Sequence, residues 1–168
     1  MDRMAVQLRN VIVASDEYRR AEAAALGVGL TESAALGELY HRGPLPPSAL
    51  VTRLGVASAS VTTLLDRLTA AGLAQRVPHP TDRRSVLVVL TPRGRQTTAA
   101  MFAMFTEDIL RAVHSAQPEH VREFTAVLAR IAAMLHQRVA DPATVARDLT
   151  RRVAEGGPGS GAPSTEPV

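Results

Sequence analysis

Apolar positions recur along most of this chain at steps of three and four. Met4, Leu8, Val11, Ser15 and Tyr18 alternate such steps, a seam that one helix can bury against another. The spacing predicts a first helix ending near Gly27 or Gly29. Thr31 is positioned to cap a second, running to about His41 with Ala34, Ala35 and Leu39 inward and Gly43-Pro44 stopping it. Pro46-Pro47 then opens a short helix, Ser48 to Leu54, because a proline is tolerated in a first turn whose N–H groups lack helical partners anyway. After a turn at Gly55-Val56, a helix is expected over Ala57 to Ala71. Its Val61, Leu64, Leu65 and Leu68 face inward, Ser58, Ser60, Thr62, Thr63, Asp66 and Arg67 face outward, and Gly72 closes it.

The period then changes. Leu73 to Val77 reads as a strand, Pro78 to Asp82 as a turn, and Ser85 to Leu90 as a β-rich return strand. Thr91-Pro92 caps and opens a long helix reaching about Ser115. Pro118 opens the next, where Val121, Phe124, Leu128, Ile131 and Leu135 again step by three and four. Asp141-Pro142 begins a further short helix ending at Gly156, and the Gly-, Pro- and Ser-rich stretch to Val168 is expected to be disordered. No internal repeat is present; the shared seams of the first and sixth helices suit a bundle.

Composition narrows the fold. Aromatic residues make up 3% of the 168 and Trp is absent, so the core must be built from Ala, Leu and Val, which favours closely packed helices. The expected fold is mainly α with a small β-hairpin wing: a winged helix-turn-helix plus a helical dimerisation region. The absence of cysteine excludes disulfides, thiolate metal sites and cysteine-based redox sensing within the chain. The first eighteen residues carry Asp2, Arg3, Arg9, Asp16 and Glu17 and no continuous apolar run, so no secretory signal or membrane span is expected, and a cytoplasmic location is.

Charge is unevenly placed. From Arg42 to Arg95 there are eight arginines against Asp66 and Asp82, a local balance of +6 within an overall +3. A basic middle between acidic ends suits an element that binds a polyanion. Two short helices about a tight Gly turn, the second rich in hydroxyls near its start, match a helix-turn-helix, and the following hairpin with Arg83 and Arg84 beside its tip strengthens the match.

Here the chain resembles the MarR (multiple antibiotic resistance regulator) family of winged-helix regulators over roughly residues 4 to 138. The wing signature, Asp-x-Arg, five residues, then Leu-Thr, stands as Asp82, Arg83, Arg84, Ser85 to Val89 and Leu90-Thr91, flanked by Gly72-Leu73 and Arg93-Gly94-Arg95. Leu54-Gly55-Val56 and the run Val61 to Leu68 resemble the family's turn and recognition helix. One departure is that Ala59 and Thr63 occupy positions where many relatives carry arginine, so base readout here falls to Ser and Thr.

Ser58, Ser60, Thr62 and Thr63 are then candidate contacts to base edges and phosphates in the major groove, and Arg67, one turn on, to a phosphate. The resemblance makes Arg84 a minor-groove arginine, which a narrow groove's negative potential would attract. Asp82 supports the wing; Arg53, Arg76 and Arg83 are weaker phosphate candidates. The expected segments are an N-terminal dimerisation helix (1–29), a DNA-binding lobe (30–95), C-terminal dimerisation helices (96–138), an extra short helix (139–155) and a tail (156–168).

The function implied is sequence-specific binding of duplex DNA by a homodimer at a pseudo-palindrome, as a repressor. The resemblance further implies modulation by a small, often aromatic effector, with Tyr18, Tyr40 and His41 as candidate lining. The alternatives are a winged-helix protein-interaction module and a ligand-blind DNA-binding protein. Neither a phosphate loop nor an HExxH motif is present, so no enzyme and no cofactor are expected. His114, Glu119, His120 and Glu123 flank one interhelical turn, but solvated helix ends account for them better than a metal site.

Overall fold

The computed structural model describes residues 3–82 and 84–155. Seven helices and one hairpin follow in the order α1 (Arg3–Ala25), α2 (Leu30–Arg42), α3 (Pro47–Leu54), α4 (Ser58–Ala70), β1 (Ala74–Pro78), β2 (Val86–Leu90), α5 (Pro92–Ala112), α6 (Pro118–Val139) and α7 (Pro142–Ala154). The chain divides into two compact units, one reaching to Arg111 and the other starting at Ala112. Arg83 and the stretch 156–168 lie outside the described residues.

The core of the first unit gathers around α4. Val61, Leu64, Leu65 and Leu68 are buried against Ala35, Leu36 and Leu39 of α2, Leu50 of α3, and Leu73, Ala74, Val88 and Leu90 of the hairpin. Each such leucine contributes roughly 1.5–3 kcal/mol by leaving water. These apolar positions therefore fix which face of α4 is left outside.

Local chemistry sets each junction. Gly55 ends α3 at φ 64 and Gly72 follows α4 at φ 67, left-handed conformations that favour glycine. β1 and β2 pair antiparallel, with Arg76 opposite Val88. Leu45, just before α3, bridges to Val88: its N–H donates to the Val88 carbonyl at 3.1 Å and its carbonyl accepts the Val88 N–H at 2.7 Å. The wing is thus fastened to the helix-turn-helix. Thr91 locks the start of α5: its hydroxyl donates to the Gly72 carbonyl at 2.7 Å and accepts from the Gly94 N–H at 3.0 Å.

Two expectations are corrected. Thr31 does not cap α2. The N-cap is Gly29, whose N–H is taken by the Glu32 carboxylate from the third helical position. The start of the helix lies one residue earlier, and a longer acidic side chain reaches back where the Thr31 hydroxyl does not. Ala34 is exposed rather than inward, because the buried stripe of α2 follows Glu32, Ala35, Leu36 and Leu39.

In the second unit, α7 opens as expected: Asp141 Oδ1 accepts from the Thr144 N–H at 3.2 Å, and Arg138 of α6 pairs with Asp148 of α7 at 2.7 Å. Phe124, Leu128 and Leu135 of α6 remain exposed, as do Met4 and Val11 of α1 in the first unit. No single described helix is long and apolar enough to cross a membrane.

Candidate DNA-binding surface and effector cleft

The outward face of α4 carries the residues the periodicity assigned to it. Ser58, Ser60, Thr62, Thr63, Asp66 and Arg67 are all exposed. The N-cap is Ala57, in extended backbone conformation, and no side chain caps the helix. Neither serine is therefore consumed as a cap. Thr62 and Thr63 donate to the Ser58 and Ala59 carbonyls, each at 3.3 Å. These long bonds within the helix leave the hydroxyl oxygens free to accept.

Arg67 has a partner that periodicity did not reveal. Its Nη1 lies 3.2 Å from Glu32 Oε1, while Glu32 Oε2 holds the Gly29 N–H. Glu32 is 5% exposed. One buried carboxylate thus ties the α1–α2 junction to the exposed face of α4. Asp66, the residue before Arg67, pairs instead with Arg76 at 2.8 Å. Arg53 faces Glu38 at 3.5 Å. The one earlier signal for this network was the Gly29-x-x-Glu32 spacing of a capping box.

At the wing, Asp82 organises the tip. Its Oδ1 accepts the Arg84 N–H at 3.0 Å and its Oδ2 accepts the Ser85 hydroxyl. These bonds, the Ser85 hydroxyl foremost, hold the Asp82 carboxyl below its usual range. His79, just after β1, joins the tip: its Nδ1 accepts the backbone N–H groups of Thr81 and Asp82 at 3.3 and 3.2 Å, and its backbone N–H donates to the Ser85 carbonyl at 3.0 Å. The Arg84 side chain is exposed and meets no acceptor among the described residues. The fixed backbone therefore projects an uncommitted guanidinium.

A cleft of about 770 Å³ opens between α1, α2 and α5 within the first unit. His41 lines it, together with Phe102 and Phe105 of α5. Of the other two aromatic candidates, Tyr18 stands edge-on to Phe105 at 5.6 Å and donates to Asp108 at 3.1 Å, and Tyr40 packs on Phe102 at 5.4 Å. Both tyrosines brace the aromatic wall rather than line the cleft. In α6, His120, Glu119 and Glu123 belong to no described cluster of three metal-ligating side chains.

Two helices about a left-handed glycine turn, with a hairpin bonded beside them and an exposed hydroxyl-bearing helix face, define a winged helix-turn-helix protein. Residues 26–85 match the family model described as MarR family. YcgE, an HTH-type transcriptional regulator of Bacillus subtilis, is 31% identical over 111 residues, 66% of this chain and 72% of its own length. MhqR of the same organism is 30% identical over 105 residues, 62% and 72% of the two chains. A MarR-family regulator from Silicibacter pomeroyi superposes with a TM-score of 0.59 at 26% identity, over 78% of this chain and 88% of its own. An S. aureus MepR variant solved bound to an oligodeoxyribonucleotide shares the fold at a TM-score of 0.60 and 20% identity, over 80% and 99% of the two chains. This chain belongs to the MarR family of transcriptional regulators. It is a DNA-binding regulator and not an enzyme.

Proposed function

We propose that the protein acts as a homodimeric repressor on a pseudo-palindromic operator, released by a small ligand. The single observation that carries this reading is the pairing, on one unit, of an uncapped, hydroxyl-bearing α4 face with an exposed Arg84 whose backbone is clamped by Asp82. α4 supplies Ser58, Ser60, Thr62 and Thr63 to a major groove, and Arg84 reaches the adjacent minor groove. Arg67 and Arg83 are assigned to phosphates. The MepR variant captured on an oligodeoxyribonucleotide supports the same use of this fold.

The dimer reading rests on apolar surface. Met4, Val11 and Ile12 of α1 are exposed, as are Phe124, Leu128 and Leu135 of α6. Apolar exposure on this scale marks an interface, and two copies read two half-sites, which one α4 and one wing cannot. Residues 1–29 and 96–138 are accordingly assigned to dimerisation and 30–95 to DNA. The cleft between α1, α2 and α5 is assigned to the ligand, which shifts the population between DNA-competent and incompetent forms.

The test is a fluorescence anisotropy titration of a labelled duplex from upstream of the protein's own gene, at several salt concentrations and against random duplex. Tight, salt-dependent binding that resists competitor is expected. Arg84→Ala should weaken it by ~1–3 kcal/mol. Equal affinity for operator and random duplex, or an unaffected Arg84→Ala, refutes the reading.

A further inference from the structure

The charges lining the cleft do not all cancel. Arg19 pairs with Asp16, and Glu38 is held by Arg42 Nε at 2.9 Å and faces Arg53 at 3.5 Å. Two lining residues of opposite sign remain, Arg20 and Glu22. They are not equivalent. Arg20 is exposed, so its charge is solvated and would hold an anion only weakly. Glu22 is partly buried, and its Oε1 is enclosed with no donor among the described residues reaching it.

An enclosed carboxylate oxygen without a donor is costly, by more than a neutral acceptor would be. Burial accordingly pushes the Glu22 carboxyl above its ordinary value. A positive charge brought beside the carboxylate from the cleft, with N–H donors for whatever part of it the cleft exposes, offsets that cost. α5 supplies apolar lining to the cleft, Met101, Phe102 and Phe105. Aromatic faces attract cations, and a volume of about 770 Å³ lies within the range of sites for drug-sized molecules.

We propose that this cleft binds a lipophilic cation bearing N–H donors, such as an aryl amidine or an arylalkylamine, with Glu22 as its counter-ion and Phe102 and Phe105 as its walls. The regulatory consequence rests on the cleft's reading as the effector site above; the binding itself does not.

The experiment compares 2-naphthamidine with 2-naphthoate, which share a ring system and carry opposite charges, by calorimetry on the full chain at pH 7. The amidine should bind at least about tenfold tighter than the naphthoate, or ~1.4 kcal/mol. Glu22→Gln, close to the same shape without charge, should erase that preference, and Arg20→Gln should leave it. Equal or tighter binding of naphthoate, an amidine affinity indifferent to Glu22→Gln, or no saturation by the amidine overturns the proposal. The wild-type comparison of the two probes stands independently of whether either variant folds. DNA anisotropy with the amidine added judges the effector reading separately. Charge-selective binding at Glu22 that leaves DNA affinity unchanged sustains the site and removes the effector role.

Discussion

Gly94 should be irreplaceable even though it sits in a helix. A Cβ there would lie 1.8 Å from the Leu73 carbonyl oxygen, 2.7 Å from its carbon and 3.1 Å from its Cα. All three are backbone atoms, so no rotamer change relieves the clash. Restoring an ordinary contact of about 3.5 Å requires α5 to move by more than ~1 Å from the loop that follows α4. That movement breaks the bonds Thr91 makes there: its N–H to Leu73 at 3.1 Å and its hydroxyl to Gly72 at 2.7 Å. At ~1 kcal/mol each, with ~1–3 kcal/mol for overpacking, Gly94→Ala should cost about 3–5 kcal/mol. Helix propensity alone argues the reverse, a gain of ~1 kcal/mol for Ala over Gly. Gly37→Ala is the control, since its Cβ would meet Phe102 Cζ at an ordinary 3.5 Å and should show the gain. Urea unfolding followed by circular dichroism at fixed protein concentration measures both. A Gly94→Ala protein as stable as wild type refutes the close-approach argument.

Other perturbations follow from the same geometry. Glu32→Gln keeps an acceptor for the Gly29 N–H but releases Arg67 from its ion pair. Affinity for random duplex should rise and the slope of log K against log salt should steepen by about one, because a freed guanidinium can take a phosphate; an unchanged slope would place Arg67 away from the DNA. Stability should respond to acid in two opposing steps. Glu22 is raised above 4.5 in the folded protein, so its contribution grows as pH falls through that raised value and is complete below 4.5. Asp82, Asp141 and Asp148 are lowered from 3.8, so theirs is present above 3.8 and lost as pH falls through the folded values. Urea midpoints taken from pH 7 to pH 3 should rise and then fall, and Glu22→Gln should abolish the rise alone. Asp141→Ala should cost α7 about 1 kcal/mol by removing its cap, seen as roughly fivefold faster amide exchange in that helix; unchanged protection would mean that Arg138–Asp148 and packing hold the helix unaided.

Much of this was legible because the relevant interactions are local. The buried stripe of α4, the glycine turns at Gly55 and Gly72, the Asp82 loop and the Thr91 start of α5 all join residues close along the chain. Period and capping chemistry encode such contacts directly. The Glu32–Arg67 pair spans thirty-five positions, and the Glu22 oxygen is distinctive only because the folded chain encloses it. Neither follows from spacing. Thr31 shows the same limit: a hydroxyl before an apolar stripe and an acid three residues after a glycine both signal a start, and Glu32 decides between them by being buried.

The proposed recognition surface bears on how specificity would be built. With Ala59 and Thr63 on α4, the face near its start carries hydroxyls instead of guanidinium forks. A hydroxyl donates or accepts and so tolerates either kind of base edge, whereas a bidentate arginine rejects all but guanine by ~1–3 kcal/mol. As the proposed base contacts, Ser58, Ser60, Thr62 and Thr63 would therefore each discriminate weakly. Arg67 on this helix and Arg76 on β1 are held by Glu32 and Asp66, whereas Arg84 on the wing is an uncommitted cation among the described residues. On the proposed reading, sequence preference would come from summing many weak contacts over two half-sites and from groove shape read by the wing. As the proposed homodimer, such a regulator would be sensitive to the spacing of its two α4 helices. Losing register in one half-site forfeits half of a sum that has no dominant member. If the cleft between α1, α2 and α5 is the effector site as proposed, small changes in it would thereby move DNA affinity, and Glu32 joins the first turn of α2 to α4.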